Sequence, residues 1–200
     1  MPSIRNVLGD DSQLYENIIK KVNFNLRCCI PGVIQQYDPK TNTASIQPAI
    51  REEIVNEDNT VQYMKLPILV NVPIIFPSCS IGSIKMLLKR GDECLVLFSD
   101  LSIDNFWKYA NVQNPIEVRR HDLSDGIAIP CVLSQPNTKP FNGTGMEITS
   151  EDSKISITKD GITFSDKNGT ITLEQMIKLL SHVHQDSTGK LTSQPIYWGE

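Results

Sequence analysis

The stretch ISITKDGITFSDKNGTITL, residues 155–173, determines the architecture of the C-terminal part of this 200-residue chain. Apolar and polar residues alternate in three short segments of it, which begin at Ile155, Ile162 and Ile171. Alternation with a period of two is typical of β-strands, whose successive side chains point to opposite faces. Gly161 and Gly169 lie in the intervening segments, which favour turns. The stretch therefore predicts three strands, spaced by seven and then nine residues.

Each of these predicted strands presents two apolar side chains on one face and little else to bury. About thirty residues of this kind cannot enclose a hydrophobic core alone. If three copies of the chain wrap around one axis, the apolar side chains face inward and the Ser and Thr side chains face outward. The inward set is then Ile155, Ile157, Ile162, Phe164, Ile171 and Leu173. The alternative to three wrapped copies is a monomeric meander packed on the rest of the protein. Residues 146–148 supply a fourth, degenerate unit of the repeat.

The region upstream of the repeat has the pattern of a small β-barrel. Residues 94–98 are nearly all apolar, as expected of a strand with neighbours on both sides, and residues 84–88 are predicted to form the other arm of its hairpin. Residues 102–109 predict a helical turn. Further strands are predicted near residues 29–37, 43–50, 61–63, 66–76 and 127–130. Several short strands with one helical segment favour an OB-fold-like barrel, among other small barrels.

The domain organisation follows from these patterns. At the N-terminus, residues 12–21 predict a helix with one apolar stripe, formed by Leu14, Ile18 and Val22. This stripe fits either packing on its own domain or docking to a neighbouring subunit. The predicted parts are an N-terminal helix in residues 1–27, the barrel in 28–135, a linker in 136–145, the strand repeat in 146–175 and a C-terminal segment in 176–200.

Composition excludes some classes of function. The net charge of −4 argues against a nucleic-acid binder, which usually carries a basic face. Five cysteines without CxxC spacing are expected to be reduced, mostly buried thiols of a protein folded in a cytoplasm. Residues 1–11 lack the apolar core of a signal peptide, and the longest apolar run, residues 66–76, is broken by Pro67 and Pro73. The sequence therefore predicts a soluble protein made inside a cell.

The segment Ser181-His182-Val183-His184 carries two of the three histidines. In an extended strand both imidazoles project from the same face. Two ligands cannot complete a structural metal site, so either the pair is incidental or other copies of the chain complete the site. Three copies would supply two imidazoles each, six in all. Six nitrogens match octahedral coordination and exceed the four ligands that zinc prefers.

These residues resemble a known family, the membrane-puncturing central spikes of contractile-tail bacteriophages and of related tailocin injection machines. Two regions carry the resemblance. The first contains PGVIQQYDP (31–39), KRGDECLVLFS (89–99) and SIDNFW (102–107), and the second is His182-X-His184 with Gly189 and Pro195. The resemblance implies an all-β homotrimer with an OB-fold-like collar, a short intertwined β-helix and a pointed apex. At that apex His182 and His184 of each chain would hold one iron ion on the threefold axis.

The resemblance also implies a function and a location. The protein would be a structural, non-enzymatic part of the virion at the tip of the tail baseplate, assembled in the host cytoplasm. It would bind baseplate hub proteins, contact the host envelope transiently as the sheath contracts, and bind no nucleic acid. Helical-looking residues 175–180 and the sixteen residues after His184 depart from the family pattern. They leave room for a further protein that caps the tip.

Two other classes of function remain as alternatives. An envelope-degrading hydrolase needs a carboxylate pair or a three-ligand zinc site. The best candidate set of three zinc ligands is a poor one: His182, His184 and Asp186. His121 is better interpreted as a loop contact than as a catalytic base. An OB-fold binder of single-stranded nucleic acid needs a basic groove with stacking aromatics. The barrel region has few aromatics to offer for this purpose: Tyr37, Tyr63, Trp107 and Tyr109.

Overall fold

The structure is a computed structural model. It describes residues 14–16, 18–19, 22, 26–56, 58–130, 133–138, 140–141, 143–181, 183 and 187–191. Contacts divide the chain into two compact units, Met1–Thr138 and Lys139–Glu200. Near the N-terminus every described residue from Leu14 to Val22 is helical, so the predicted helix is confirmed over these residues, and its apolar side chains are exposed. No helix in the described part of the chain combines the length and apolar character needed to cross a membrane.

The first unit consists mainly of β-strands. Its main sheet has five strands in the order β5-β2-β1-β8-β9, and β3–β4 and β6–β7 are two separate hairpins. One short helix, α1 (Asp104–Tyr109), and a 3₁₀ turn (Leu123–Asp125) lie between β8 and β9. The strands are β1 (Cys29–Asp38), β2 (Thr43–Pro48), β3 (Arg51–Val55), β4 (Val61–Lys65), β5 (Leu69–Pro73), β6 (Ser78–Cys79), β7 (Gly82–Ser83), β8 (Glu93–Phe98) and β9 (Gly126–Ile129).

The main sheet curls until its two edge strands meet. Strands β1, β2 and β5 pair in succession, and β8 returns to the free side of β1, which is a Greek-key order. At the edges, Ile74 forms a parallel bridge with Ala128, and the Ile75 amide donates to the Ala128 carbonyl at 2.8 Å. A partly closed, five-stranded Greek-key barrel is the OB-fold arrangement. The expectation of an all-β, OB-fold-like barrel is therefore confirmed for this unit.

The core of the barrel follows from the alternation along its strands. In both β2 and β8 every second residue is buried, and the inward side chains include Ile46 and Val96, each with no exposed surface. Gly32 lies directly against them, because a Cβ atom at this position would come within 2.5 Å of the Ile46 Cγ2 atom. Strand β1 therefore requires glycine where it crosses the barrel interior.

One predicted strand is wrong. Residues 84–88 form no strand, and the side chains of Ile84 and Leu87 are exposed. The reason lies in β8, which already pairs with β1 on one edge and with β9 on the other. No edge of β8 remains for a hairpin arm, so residues 84–88 run outside the sheet.

The expectation of mostly buried cysteines is also wrong. Cys28, Cys29 and Cys79 are exposed free thiols, and only Cys94 of the four described cysteines is buried. Cys94 points into the barrel, where burial raises the pKa of its thiol to about 11. Cys131 lies outside the described residues.

A buried ion pair holds the long connection between β8 and β9. Asp125 is fully buried, and its carboxylate accepts hydrogen bonds from Arg119 Nε at 2.6 Å and from Arg119 Nη2 at 3.0 Å. The backbone amide of Ile103 donates to the same carboxylate at 3.0 Å. Arg119 also donates to Asp104, the first residue of α1. Hydrogen bonds from its guanidinium to Asp125 and Asp104 raise the pKa of Arg119, so it stays charged and fixes α1 to the barrel.

We expect Arg119→Met to destabilise the barrel by about 3 kcal/mol, because it leaves the Asp125 carboxylate buried without its counterion. Urea unfolding measures the change. The matched control is Arg120→Met, since Arg120 pairs with Asp100 on the surface with both side chains more than half exposed. That substitution should change stability by less than about 1 kcal/mol. Equal effects from the two substitutions would contradict the role assigned to the buried pair.

The second unit is an antiparallel meander followed by a helix. Its four strands pair in sequence order, β10-β11-β12-β13. Asp166 shapes the last turn by accepting from the backbone amides of Asn168 at 2.7 Å and Gly169 at 3.1 Å, and these hydrogen bonds lower its pKa. The elements are β10 (Met146–Ser150), β11 (Ser153–Thr158), β12 (Gly161–Asp166), β13 (Gly169–Thr172) and α2 (Leu173–Ser181). The predicted strands of the repeat are confirmed, except that Leu173 begins the helix.

A reciprocal cap explains why the last strand ends before Leu173. The backbone amide of Gln175 donates to Thr172 Oγ1 at 3.1 Å, and the backbone amide of Thr172 donates to Gln175 Oε1 at 2.9 Å. This pair of hydrogen bonds is a capping box, which satisfies two amides at the first turn of a helix. The motif Thr172-Leu173-Glu174-Gln175 is a sequence signal for a helix start that the strand pattern obscured.

Candidate assembly surface

The register of the meander places its apolar side chains on one face. Ile155 lies opposite Phe164, and Ile157 lies opposite Ile162 in the β11–β12 pair. The same face continues on both sides, since Ile148 lies opposite Ile155 and Phe164 lies opposite Ile171. Side chains directly opposite each other in an antiparallel pair share a face of the sheet. We call this set the apolar face: Met146, Ile148, Ile155, Ile157, Ile162, Phe164 and Ile171.

The other face of the meander is polar. Ser156 lies opposite Glu147 on one side and Thr163 on the other. Lys154 bonds to Glu147 across the strands at 3.1 Å. No apolar residue interrupts this face within strands β10 to β13 as the structure describes them. The meander is therefore a sheet with two chemically distinct faces.

The apolar face lacks a core to pack into. All the buried hydrophobic side chains that the structure describes lie in the first unit, between Ile34 and Ala128. On the apolar face, Met146 and Ile148 are each 56% exposed, and Ile157 is 38% exposed. A four-stranded sheet needs its hydrophobic face covered to be stable. The geometry of one chain thus leaves the second unit with apolar surface that only another surface can bury.

Helix α2 adds further apolar side chains next to this sheet. The helix packs against β12 and β13. Leu173, Ile177 and Leu180 recur at helical spacing and have exposed side chains. Glu174 and Lys178 form an ion pair on the polar side of the helix at 2.6 Å. The amphipathic helix therefore extends the exposed apolar surface toward the C-terminus.

The predicted metal ligands, His182 and His184, lie outside the described residues. Helix α2 ends at Ser181, immediately before the histidine pair. Among the residues that the structure does describe, no group of three or more His, Cys, Asp or Glu side chains is placed to hold a metal ion. His121 lies in the β8–β9 connection with its Nε2 atom 3.4 Å from Asp100 Oδ1. The structure thus places His121 in a loop contact on the barrel.

The described residues thus form an OB-fold-like barrel and a sheet with one apolar and one polar face. A family model described as the phage protein Gp138 N-terminal domain matches residues 30–131, about half of the chain. The chain belongs to this family of phage proteins. The match covers the barrel from β1 through β9 and ends before the second unit. A search of curated proteins finds no match to the chain.

Family membership confirms the coarser part of the expectation from sequence. The protein is a phage protein, and the family supports a structural component associated with the virion. The matched residues include the three barrel motifs that carry the resemblance in residues 31–39, 89–99 and 102–107. The second unit and the histidine pair lie beyond residue 131, outside the matched residues.

Proposed function

We propose that three copies of this chain form the central spike of a contractile-tail baseplate, which pierces the host cell envelope when the tail sheath contracts. The observation that carries the proposal is the apolar face, which belongs to a unit in which none of the described hydrophobic side chains is buried. Three meanders around one axis would bury their apolar faces against one another. The polar faces would then form the outside of a narrow shaft. Cyclic symmetry closes such an assembly with three copies.

A shaft of this kind suits a mechanical role. The sheath supplies the work, and the spike must remain folded while it is loaded from one end. Because the apolar face is buried only in the assembly, one chain cannot unfold its shaft without separating from the other two. The chain needs no catalytic group for this function.

The barrel serves as the collar in this proposal. Its fold is complete within one chain, with its own core from Ile34 to Ala128, so its outer surface is available to the baseplate hub proteins. The apolar side chains of the N-terminal helical residues are exposed and suit a contact with such a hub or with a neighbouring subunit. The location that follows is the tip of the tail in the virion, after assembly in the host cytoplasm.

The histidine pair would close the tip. The donor set fits a transition metal, because two imidazoles from each of three chains provide the six nitrogens of an octahedral site. His182 and His184 would be the ligands, and the family resemblance selects iron. When bound, the ion would link the three C-terminal segments without taking part in any reaction. A capping protein over residues 185–200 is compatible with this arrangement.

Replacing Ile157 with Asp should prevent trimer formation while leaving the barrel folded. The substitution would place one carboxylate per chain in the shared interior, at a cost on the order of several kcal/mol for each buried ion. The matched control is Thr163→Asp, on the polar face of the neighbouring strand, which should remain trimeric. Light scattering coupled to size exclusion gives the mass of each variant. A monomeric wild type at micromolar concentration would rule out the trimer.

Purified wild-type trimer should contain one iron ion per three chains by elemental analysis. Changing both His182 and His184 to Ala should remove the metal but leave the trimer, since the shaft forms without it. His121→Ala is the control and should keep the metal. Imidazole binds metal in its neutral form, so acidification well below ~6.5 should release the ion. Zinc at one ion per chain, or a trimer without metal, would contradict the assignment of the tip.

A further inference from the structure

The barrel carries a groove on the outer face of β1, β2 and β5. Its volume is about 620 Å³, which is within the range of small-ligand sites. The walls come from the sheet, from the β1–β2 loop and from the β8–β9 connection. In OB-folds this combination of the second and third strands with these two loops binds oligonucleotides and oligosaccharides. The side chains that matter most are Gln36, Asp38, Ser45, Asn71, Asp104 and Trp107.

A β-bulge in β1 directs polar side chains into this groove. The register between β1 and β2 shifts between Ile34 and Gln36. Before the bulge Ile34 is buried, and after it Tyr37 packs against the core while Gln36 and Asp38 are exposed. A bulge reverses which face each following residue occupies and often re-aims side chains at binding sites. The barrel thus keeps its core and also presents an amide and a carboxylate outward.

Trp107 stands at the edge of the groove on a helix that buries none of its residues. Its side chain is 51% exposed, although tryptophan is usually among the most buried residues of a domain. Helix α1 is fixed at the edge of the groove, because Arg119 donates hydrogen bonds both to Asp104 of α1 and to the buried Asp125. An aromatic ring that is exposed and yet held by a buried ion pair is suited to stacking on a ligand.

The hydrogen-bonding groups of the groove indicate which ligand fits. The side-chain amides of Gln36 and Asn71 line the groove, and each offers donors and an acceptor. Hydrogen bonds from the Lys40 amide and the Thr41 side chain lower the pKa of Asp38, so this carboxylate is ionised at neutral pH. None of the described residues that line the groove is Lys or Arg. The Asp38 carboxylate repels phosphate, and the Arg119 guanidinium, which binds Asp104 at the groove, is already paired with Asp125; both facts disfavour nucleic acid.

We propose that this groove binds a neutral oligosaccharide. A pyranose ring has an apolar C–H face that stacks on Trp107, and hydroxyl groups around its rim. The amides of Gln36 and Asn71 and the carboxylate of Asp38 pair with those hydroxyls as donors and acceptors. This site is separate from the apolar face, so it does not depend on the assembly proposed for the shaft.

The test uses the full chain with Trp198→Phe, which leaves Trp107 as the fluorescent tryptophan. The probes are the neutral hexasaccharides maltohexaose, hexa-N-acetylchitohexaose and α-mannohexaose, and the oligonucleotide dT12 serves as the anionic ligand for comparison. At least one hexasaccharide should give a saturable fluorescence change, and dT12 should give none at the same concentration. Saturation-transfer NMR on the otherwise unsubstituted chain should show binding at least tenfold weaker for Trp107→Ala, a loss of about 1.4 kcal/mol.

Two further variants keep the test independent of folding. Trp107→Phe retains an aromatic face and should keep most of the binding, while Tyr109→Ala removes an exposed ring of the same helix that does not line the groove and should have no effect. Circular dichroism melting shows whether each variant is folded. Saturable binding of dT12, no binding of any of the three hexasaccharides, or undiminished binding by a folded Trp107→Ala variant would each overturn the proposal.

Discussion

The exposed apolar face of the C-terminal meander is the constraint on which the second unit depends. The cross-strand register from Ile148 to Ile171 collects these side chains on one surface, and the same register leaves the opposite surface polar. The hydrophobic effect favours covering the first surface and solvating the second. Within the described residues of the second unit, helix α2 packs against β12 and β13, and Met146, Ile148 and Ile157 remain exposed.

The barrel covers its own apolar side chains within one chain. Its sheet curls until Ile74 meets Ala128, so the inward side chains of all five strands cover one another. The barrel therefore buries a core, from Ile34 to Ala128, within one chain. Membership of the phage family rests on the barrel, which has its own core, whereas the proposed trimer rests on the second unit, whose apolar face is exposed.

Local irregularities of the barrel matter as much as its regular strands. The bulge after Ile34 exchanges the inward and outward faces of β1, and the Arg119–Asp125 pair fixes the long β8–β9 connection. Each feature carries a free-energy cost that its surroundings must offset. The bulge interrupts the hydrogen-bond ladder between β1 and β2, and the ion pair buries the charge of Asp125. Together they turn polar groups and Trp107 toward one groove. The outer surface of the barrel therefore has a defined chemistry of its own.

The sequence by itself determined the elements whose signals are local. Local patterns of apolar residues located β1, β2, β4, β5, β8 and β9 and the strands of the apolar face, and the pattern of residues 102–109 located α1. The short strands β3, β6 and β7 were not predicted. Features that depend on distant partners were decided only in the tertiary structure. Residues 84–88 form no strand because β8 has both edges occupied, and Asp125 is buried because Arg119 and the Ile103 amide meet it there. Pairing and burial are properties of the surroundings, which a linear pattern does not contain.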